Sequence, residues 1–188
     1  MEEQDVIRQV KEGSEEAFRV LVDNYKDKVY NLCYGYLKNE GDAEDLAQEV
    51  FVEVYRSIDR FRENAGLGTW IYRITVNKSL EVLRRMKRQK RWAYMYSLFG
   101  MEDRLEAVHK DEVHPGVKLE NQERATLLFS KIDDLPGKQK TAFLLHKIEG
   151  LSYTEIAGVM QTTVASVESL IHRAKVNLRK SLYPYYKS

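Results

Sequence analysis

The sequence holds a single cysteine, Cys33, in 188 residues. That excludes an internal disulfide framework and any zinc site built on several cysteines. Proline is scarce: there are three, the first at Pro115, so no proline breaks a helix before that point. No apolar run approaches the roughly 18 residues of a membrane span. The opening Met1-Glu2-Glu3-Gln4-Asp5 is the wrong start for a secretory signal. An excess of one charge sign is lacking too, since 30 Lys and Arg oppose 29 Asp and Glu, for a net charge of +1. Taken as an average, that balance counts against a polyanionic partner. At 43% hydrophobic residues the chain is too apolar for disorder. The expectation is a soluble, cytoplasmic protein of one or two small domains, with no membrane insertion.

The neutral total is a sum of opposed blocks. Lys38 to Tyr55 carries −5, Arg73 to Trp92 carries +7, Met101 to Arg124 carries −3 and Ser166 to Leu182 carries +3. The two basic blocks fall on separate predicted helices, each able to meet a polyanion. The acidic blocks need a different partner, or none.

Apolar residues recur at steps of three and four through most of the chain, and strand-like alternation is scarce. A short helix is predicted over Glu3 to Lys11. A second, capped by Ser14, runs to about Lys38, with Phe18, Leu21, Val22, Tyr25, Val29, Leu32 and Tyr36 on one face. Asp42 is the expected cap of a third helix. Its inner face is Ala43, Leu46, Ala47, Val50 and Val54, and Asp45, Gln48, Glu49, Val52 and Arg56 point outward. A loop at about Asp59 to Gly68, broken by Gly66 and Gly68, leads to a fourth helix, capped by Thr69 and ending near Arg91. Ala93 to Gly116 lacks sustained periodicity and reads as a linker. Further helices are predicted at about Val117 to Ile132, from Pro136 to before Gly150, from the capping box Ser152-x-x-Glu155, and over Val164 to Leu182, stopped by Pro184. The fold class is all-α, with two small helical domains. The divisions are 1–95, a flexible linker at 96–116, and 117–188.

On the fourth helix, Trp70, Arg73, Asn77, Arg84 and Arg88 fall within about a 60° stripe, together with Glu81. Ile71, Ile74 and Val82 flank it on one side, and Tyr72, Val76, Leu80 and Leu83 on the other. Arginine pairs with phosphate, aromatic rings stack on bases and asparagine reads a base edge, so the stripe has what unpaired DNA requires. Spacing alone leaves a second reading equally open, a solvated charged face with Trp70 in the core.

The C-terminal pair is more specific. A capped helix, Tyr153 to Met160, is followed by the turn Gln161-Thr162-Thr163 and a longer basic helix. Val164, Val167, Leu170, Ile171, Ala174, Leu178 and Leu182 line that helix's inner face. Ser166, Ser169, His172, Arg173, Val176 and Lys180 line the opposite face. This is the layout of a DNA-binding helix-turn-helix, against the alternative of a plain helical hairpin. Polar residues near the start of the second helix reach base edges, while Arg173, Arg179 and Lys180 suit phosphates.

No catalytic constellation emerges. The carboxylates of the third helix lie on a solvated face without a histidine, which favours a partner surface over a metal site. Gly66-Leu67-Gly68 lacks the preceding strand of a phosphate loop. Cys33 is expected to be buried and inert, His146 to pack within a helix, and His109 and His114 to lie in the linker without a nucleophile. The expectation is a protein that is not an enzyme and has no cofactor.

Two stretches resemble a known family. Asp42-Ala-Glu-Asp-Leu-Ala-Gln-Glu-Val-Phe51 and Thr69-Trp-Ile-Tyr-Arg-Ile-Thr-Val-Asn77 resemble the second conserved region of bacterial sigma factors. Leu151-Ser-Tyr-Thr-Glu-Ile-Ala157 and Ser166-Val-Glu-Ser-Leu-Ile-His-Arg-Ala-Lys175 resemble the fourth. Both regions in order, without a third domain between them, look like the extracytoplasmic-function (ECF) group.

The resemblance implies a promoter-specificity subunit that binds core RNA polymerase, recognises the −35 and −10 promoter elements and helps to open the DNA. Asp45, Gln48 and Glu49 match positions that contact the clamp helices of the polymerase β′ subunit, and the β flap is a second expected contact. Asn77 matches a position that reads a flipped non-template base, and the loop Phe61 to Thr69 matches the pocket for that base. The implied −10 set is Phe61, Thr69, Trp70, Arg73, Asn77, Arg84 and Arg88. The implied −35 set is Ser166, Glu168, Ser169, His172, Arg173 and Lys180. An anti-sigma protein is a further expected partner. Glu168 and Leu170 stand where some members carry basic residues, and Thr163 replaces a frequent proline of the turn. A stand-alone helix-turn-helix regulator is the alternative.

Overall fold

The computed structural model describes residues 2–62, 66–98 and 127–186. Among the described residues all regular structure is helical. The helices are α1 (Glu3–Lys11), α2 (Glu15–Leu37), α3 (Glu40–Ser57), α4 (Leu67–Leu98), α5 (127–133 as described), α6 (Gly137–Lys147), α7 (Tyr153–Met160) and α8 (Val164–Leu182). Short 3-10 turns follow α3 at Ile58–Arg60 and α8 at Tyr183–Tyr186.

Local chemistry sets most of the boundaries. Ser14 Oγ accepts from the Ala17 N–H at 3.2 Å and starts α2. Ser152 and Glu155 form the expected capping box on α7, with Ser152 N–H donating to Glu155 Oε2 at 2.8 Å. Thr163 Oγ1 accepts from the Ser166 N–H and starts α8, so threonine takes the capping role without a proline. Gln161 occupies the left-handed region (φ 51°) that closes α7 and turns the chain toward α8.

Four boundary expectations are corrected. The cap of α3 is Asn39, whose Oδ1 accepts from the Asp42 N–H at 2.9 Å, so Asp42 lies inside the first turn. Both residues can cap, and Gly41 is tolerated in a first turn whose N–H groups need no helical partner. Thr69 does not cap α4, which already begins at Leu67 with Gly66 O accepting from the Trp70 N–H. Gly68 is therefore helical rather than a breaker, and its lack of a side chain lets α4 approach the Tyr25 ring. Helix α4 runs past Arg91 to Leu98, because no glycine or proline interrupts it before Gly100. Pro136 sits at the cap of α6 rather than within it, and its carbonyl accepts from the Gln139 and Lys140 N–H groups. The expectations for His109, His114, Pro115 and the start of the helix at Val117 lie outside the described residues.

Two apolar clusters hold the helices. The first joins Val6, Leu21, Val29, Cys33, Leu46, Val50, Val54, Phe61 and Ile71 from α1 to α4. All five residues expected on the inner face of α3 are buried in it. The second joins Leu144, Leu145, Ile156, Val159, Val167, Ile171 and Ala174 from the C-terminal helices. It also contains Leu32, Tyr36, Tyr72 and Val76 from the N-terminal half. The two apolar flanks of α4 thus enter different clusters, Ile71 the first and Tyr72 and Val76 the second, and the helix is clamped between them. Val164 departs from expectation, being exposed at the start of α8, while Leu170 is buried as core.

Candidate nucleic-acid interface

The outer face of α8 is held rigidly because its inner face is fully committed. Val167, Ile171 and Ala174 are at most 1% exposed. Glu168, Ser169, His172, Arg173 and Lys180 all face solvent on the opposite side. Ser166 is half-buried beneath its cap. Arg173 Nε donates back to Ser169 O at 3.2 Å, which holds the exposed side chain along the helix. This places polar groups in the first turns and bases in the later ones, the arrangement for base edges and phosphates respectively.

On α4 the expected stripe divides. Asn77, Arg84 and Arg88 are exposed, as is Glu81. Arg84 Nε donates to Leu80 O, which props the side chain along the helix. Toward the N-terminal end the stripe is covered. Thr69, Trp70 and Arg73 are half-buried, and Phe61 is 4% exposed. Phe61 packs against Trp70 with ring centroids 5.2 Å apart, so it belongs to the core beside the start of α4 and is not brought to the surface. Arg73 Nη2 donates to Gly158 O at 2.7 Å, and its Nε is buried without a hydrogen-bond partner. A groove of about 760 Å³ runs along this junction. Arg73, Asn77, Arg84 and Lys87 border it on the α4 side, Lys138 and Gln161 on the other.

The acidic face of α3 is open. Asp45, Gln48 and Glu49 are exposed in a row, with Val52, 49% exposed, beyond them. Lys78 Nζ lies 3.9 Å from both Glu49 and Glu53, a pairing that leaves no local sign in the sequence because it joins α3 to α4. Cys33 is fully buried, and burial pushes its thiol up to about 12, which keeps it protonated and inert. His146 packs edge-on to Tyr153 with Nδ1 3.1 Å from Leu151 O, as a packing residue.

Two matches of separate segments agree with this division. Residues 21–89 match Sigma-70 region 2, and residues 118–178 match Sigma-70, region 4. Over 179 residues the sequence is 37% identical to the ECF RNA polymerase sigma factor SigW of Bacillus subtilis, covering 94% of each chain. The chain belongs to the ECF sigma factors.

The solved structures agree in fold. CnrH, in complex with the cytosolic domain of CnrY, superposes with a TM-score of 0.70 at 21% identity, over 95% of this chain and 96% of that one. The sigma factor RpoE of Bartonella quintana, in complex with the anti-sigma factor NepR, gives 0.63 at 20% identity, over 88% and 96%. In this ECF sigma factor the region 2 match covers most of α2 and the whole of α3, and runs into α4 as far as Gln89. The region 4 match contains α6 and α7 and most of α8. The described residues fold into the expected all-helical pair of domains. No helix among the described residues is long and apolar enough to cross a membrane.

Proposed function

We propose that this ECF sigma factor binds core RNA polymerase through the outer face of α3 and reads a promoter with two surfaces, the −10 element with α4 and the −35 element with α8. In this reading residues 1–95 bind polymerase and open the DNA, 96–116 connect, and 117–188 dock on the upstream element. The observation that carries it is the segregation of charge onto exposed, rigidly backed faces. Asp45, Gln48 and Glu49 form one, Asn77, Arg84 and Arg88 a second, and Ser169, His172, Arg173 and Lys180 a third. An acidic face with no use against DNA gains a use against polymerase. Glu168 accepts from a cytosine amino group, so it selects a base where a lysine would grip a phosphate. An anti-sigma protein, such as accompanies the Bartonella quintana relative, is the further partner.

Replacing both Gln48 and Glu49 by alanine should weaken core polymerase affinity about tenfold or more, the scale of a lost interface anchor. The fold should be retained, because the ion pair of Glu49 with Lys78 is long and solvent-screened and adds little to stability. Unchanged affinity by fluorescence anisotropy, with unchanged thermal stability, removes α3 from the interface. Lys180→Ala should lower the slope of log K against log salt for duplex binding by about 0.9, one phosphate contact. An unchanged slope places Lys180 off the DNA.

A further inference from the structure

The groove of about 760 Å³ between α4 and the C-terminal helices has the size of a small-ligand site. Its lining is strongly cationic. Lys38, Arg73, Arg84, Lys87, Lys138 and Lys140 border it, against a single acid, Asp133. Asp133 is already committed, because its Oδ1 accepts from Lys140 Nζ at 2.7 Å. Two nitrogens of the lining residues are left without an acceptor. Lys38 Nζ is buried over the Phe129 ring, 3.8 Å from its centroid, and has no hydrogen-bond partner. Arg73 Nε is buried without one as well. Burial pulls the Lys38 amine down to about 8; Asp133 offsets part of that, and the Lys140 charge adds to it. A buried donor without an acceptor is costly, and an anion within reach removes the cost. The remainder of the lining is apolar, with Leu80 and Leu83 from α4 and Leu135 and Met160 from the C-terminal half.

We infer that this groove is a binding site for a nucleoside polyphosphate. Its phosphates meet the cluster of lysine and arginine side chains, and its nucleobase covers the half-buried Leu80, Leu83 and Met160. Both parts of the ligand follow from the lining. A bare inorganic anion would leave the apolar wall wet, and an uncharged ring would leave the buried nitrogens unpaired. Lys38, Lys87, Lys138 and Lys140 lie outside the sets assigned to promoter DNA, so the site is more than the −10 surface. Arg73 and Arg84 are shared with that surface, so nucleotide and unpaired DNA compete for them.

The test titrates ATP, inorganic triphosphate and adenosine into the purified full chain by calorimetry near pH 8. ATP should bind at one site, about tenfold tighter than inorganic triphosphate, the gain from covering the apolar wall. Adenosine should bind more weakly than either. Lys87→Glu together with Lys138→Glu should weaken ATP binding about tenfold or more. Both lysines are exposed and neither is assigned to DNA, so the fold and duplex binding should stand. Reversing Lys147 and Lys175, exposed side chains that do not line the groove, should change ATP affinity less than about twofold. Lys38 supplies a second readout. Near pH 8 its amine is about half protonated, and a phosphate beside it favours the charged form, so binding should take up roughly half a proton. Titrations in buffers of different ionisation enthalpy measure that uptake, and Lys38→Met should abolish it. Absence of saturable ATP binding up to millimolar concentration overturns the site. Equal affinity for ATP and inorganic triphosphate overturns the nucleoside. Equal losses from the two charge-reversed pairs mean general attraction and overturn the groove as the location. Binding without proton uptake overturns the placement of Lys38 against the phosphates.

Discussion

Asn77→Ala is expected to slow promoter opening about 10- to 100-fold while leaving core polymerase affinity within about twofold. The magnitude follows from the chemistry of the side chain. An asparagine amide matched to a base edge is worth about 1–3 kcal/mol of discrimination, and alanine retains none of it. Asn77 sits on the exposed stripe of α4, whose flanks are locked into two different cores, so the amide is presented from a rigid helix. Alanine is a better helix former than asparagine, and the position is exposed, so the change should not unfold the domain. The selective loss arises because unstacking a base costs a few kcal/mol that only contacts made after flipping can offset. In the proposed reading, polymerase docks on α3 before that step. Permanganate footprinting of the melted strand, alongside polymerase affinity, separates the two. An equal loss of both contradicts the assignment.

Ile171→Ala should remove upstream-element binding without touching a DNA-facing residue. Ile171 is 1% exposed and lies at the middle of α8, packed among Leu144, Ile156 and Ala174. Truncating such a side chain costs about 2–5 kcal/mol, from lost transfer energy and the cavity left behind. The C-terminal domain, built from α5 to α8, is small, and small domains have little stability in reserve. The expected outcome is loss of duplex binding together with a thermal transition lowered by roughly 10 °C or more. Polymerase binding through α3 should survive, since that face is backed by the other cluster. Normal duplex binding at unchanged stability would mean that α8 is not positioned by this core.

Much of this arrangement was legible because helical periodicity reports burial directly. The inner and outer faces of α3 separate as their spacing predicts, and the three serine and threonine caps at Ser14, Ser152 and Thr163 close the helices they precede. Where the structure departs from the sequence pattern, the causes are local. Asn39 and Asp42 compete for one capping role, and residue type alone cannot decide between two good acceptors three positions apart. The extension of α4 to Leu98 was obscured because periodicity fades there although no breaker intervenes. What the pattern could not supply was the identity of the partner surface. Tyr72, Val76, Leu80 and Leu83 read correctly as an apolar flank, yet nothing in their spacing says that Ile156 and Val159 cover them. The covering of Arg73 by Gly158 O joins residues 85 positions apart and leaves no periodic trace. The candidate site shows the same division. The exposed stripe of α8 was readable from its spacing, and the occlusion of Thr69, Trp70 and Arg73 was not.

The net charge of +1 is an average over faces of opposite charge. Its acidic share lies in part on α3, the face proposed here to meet polymerase rather than DNA. Run-off transcription tests this division between a polymerase face and two promoter faces. Core polymerase is reconstituted with the purified chain on a genomic fragment library, and the 5′ ends of the transcripts are mapped. Discrete start sites that share two upstream sequence elements are expected, together with their loss in the Gln48→Ala, Glu49→Ala double variant. Transcripts with random ends, or the same ends from core polymerase alone, would contradict it.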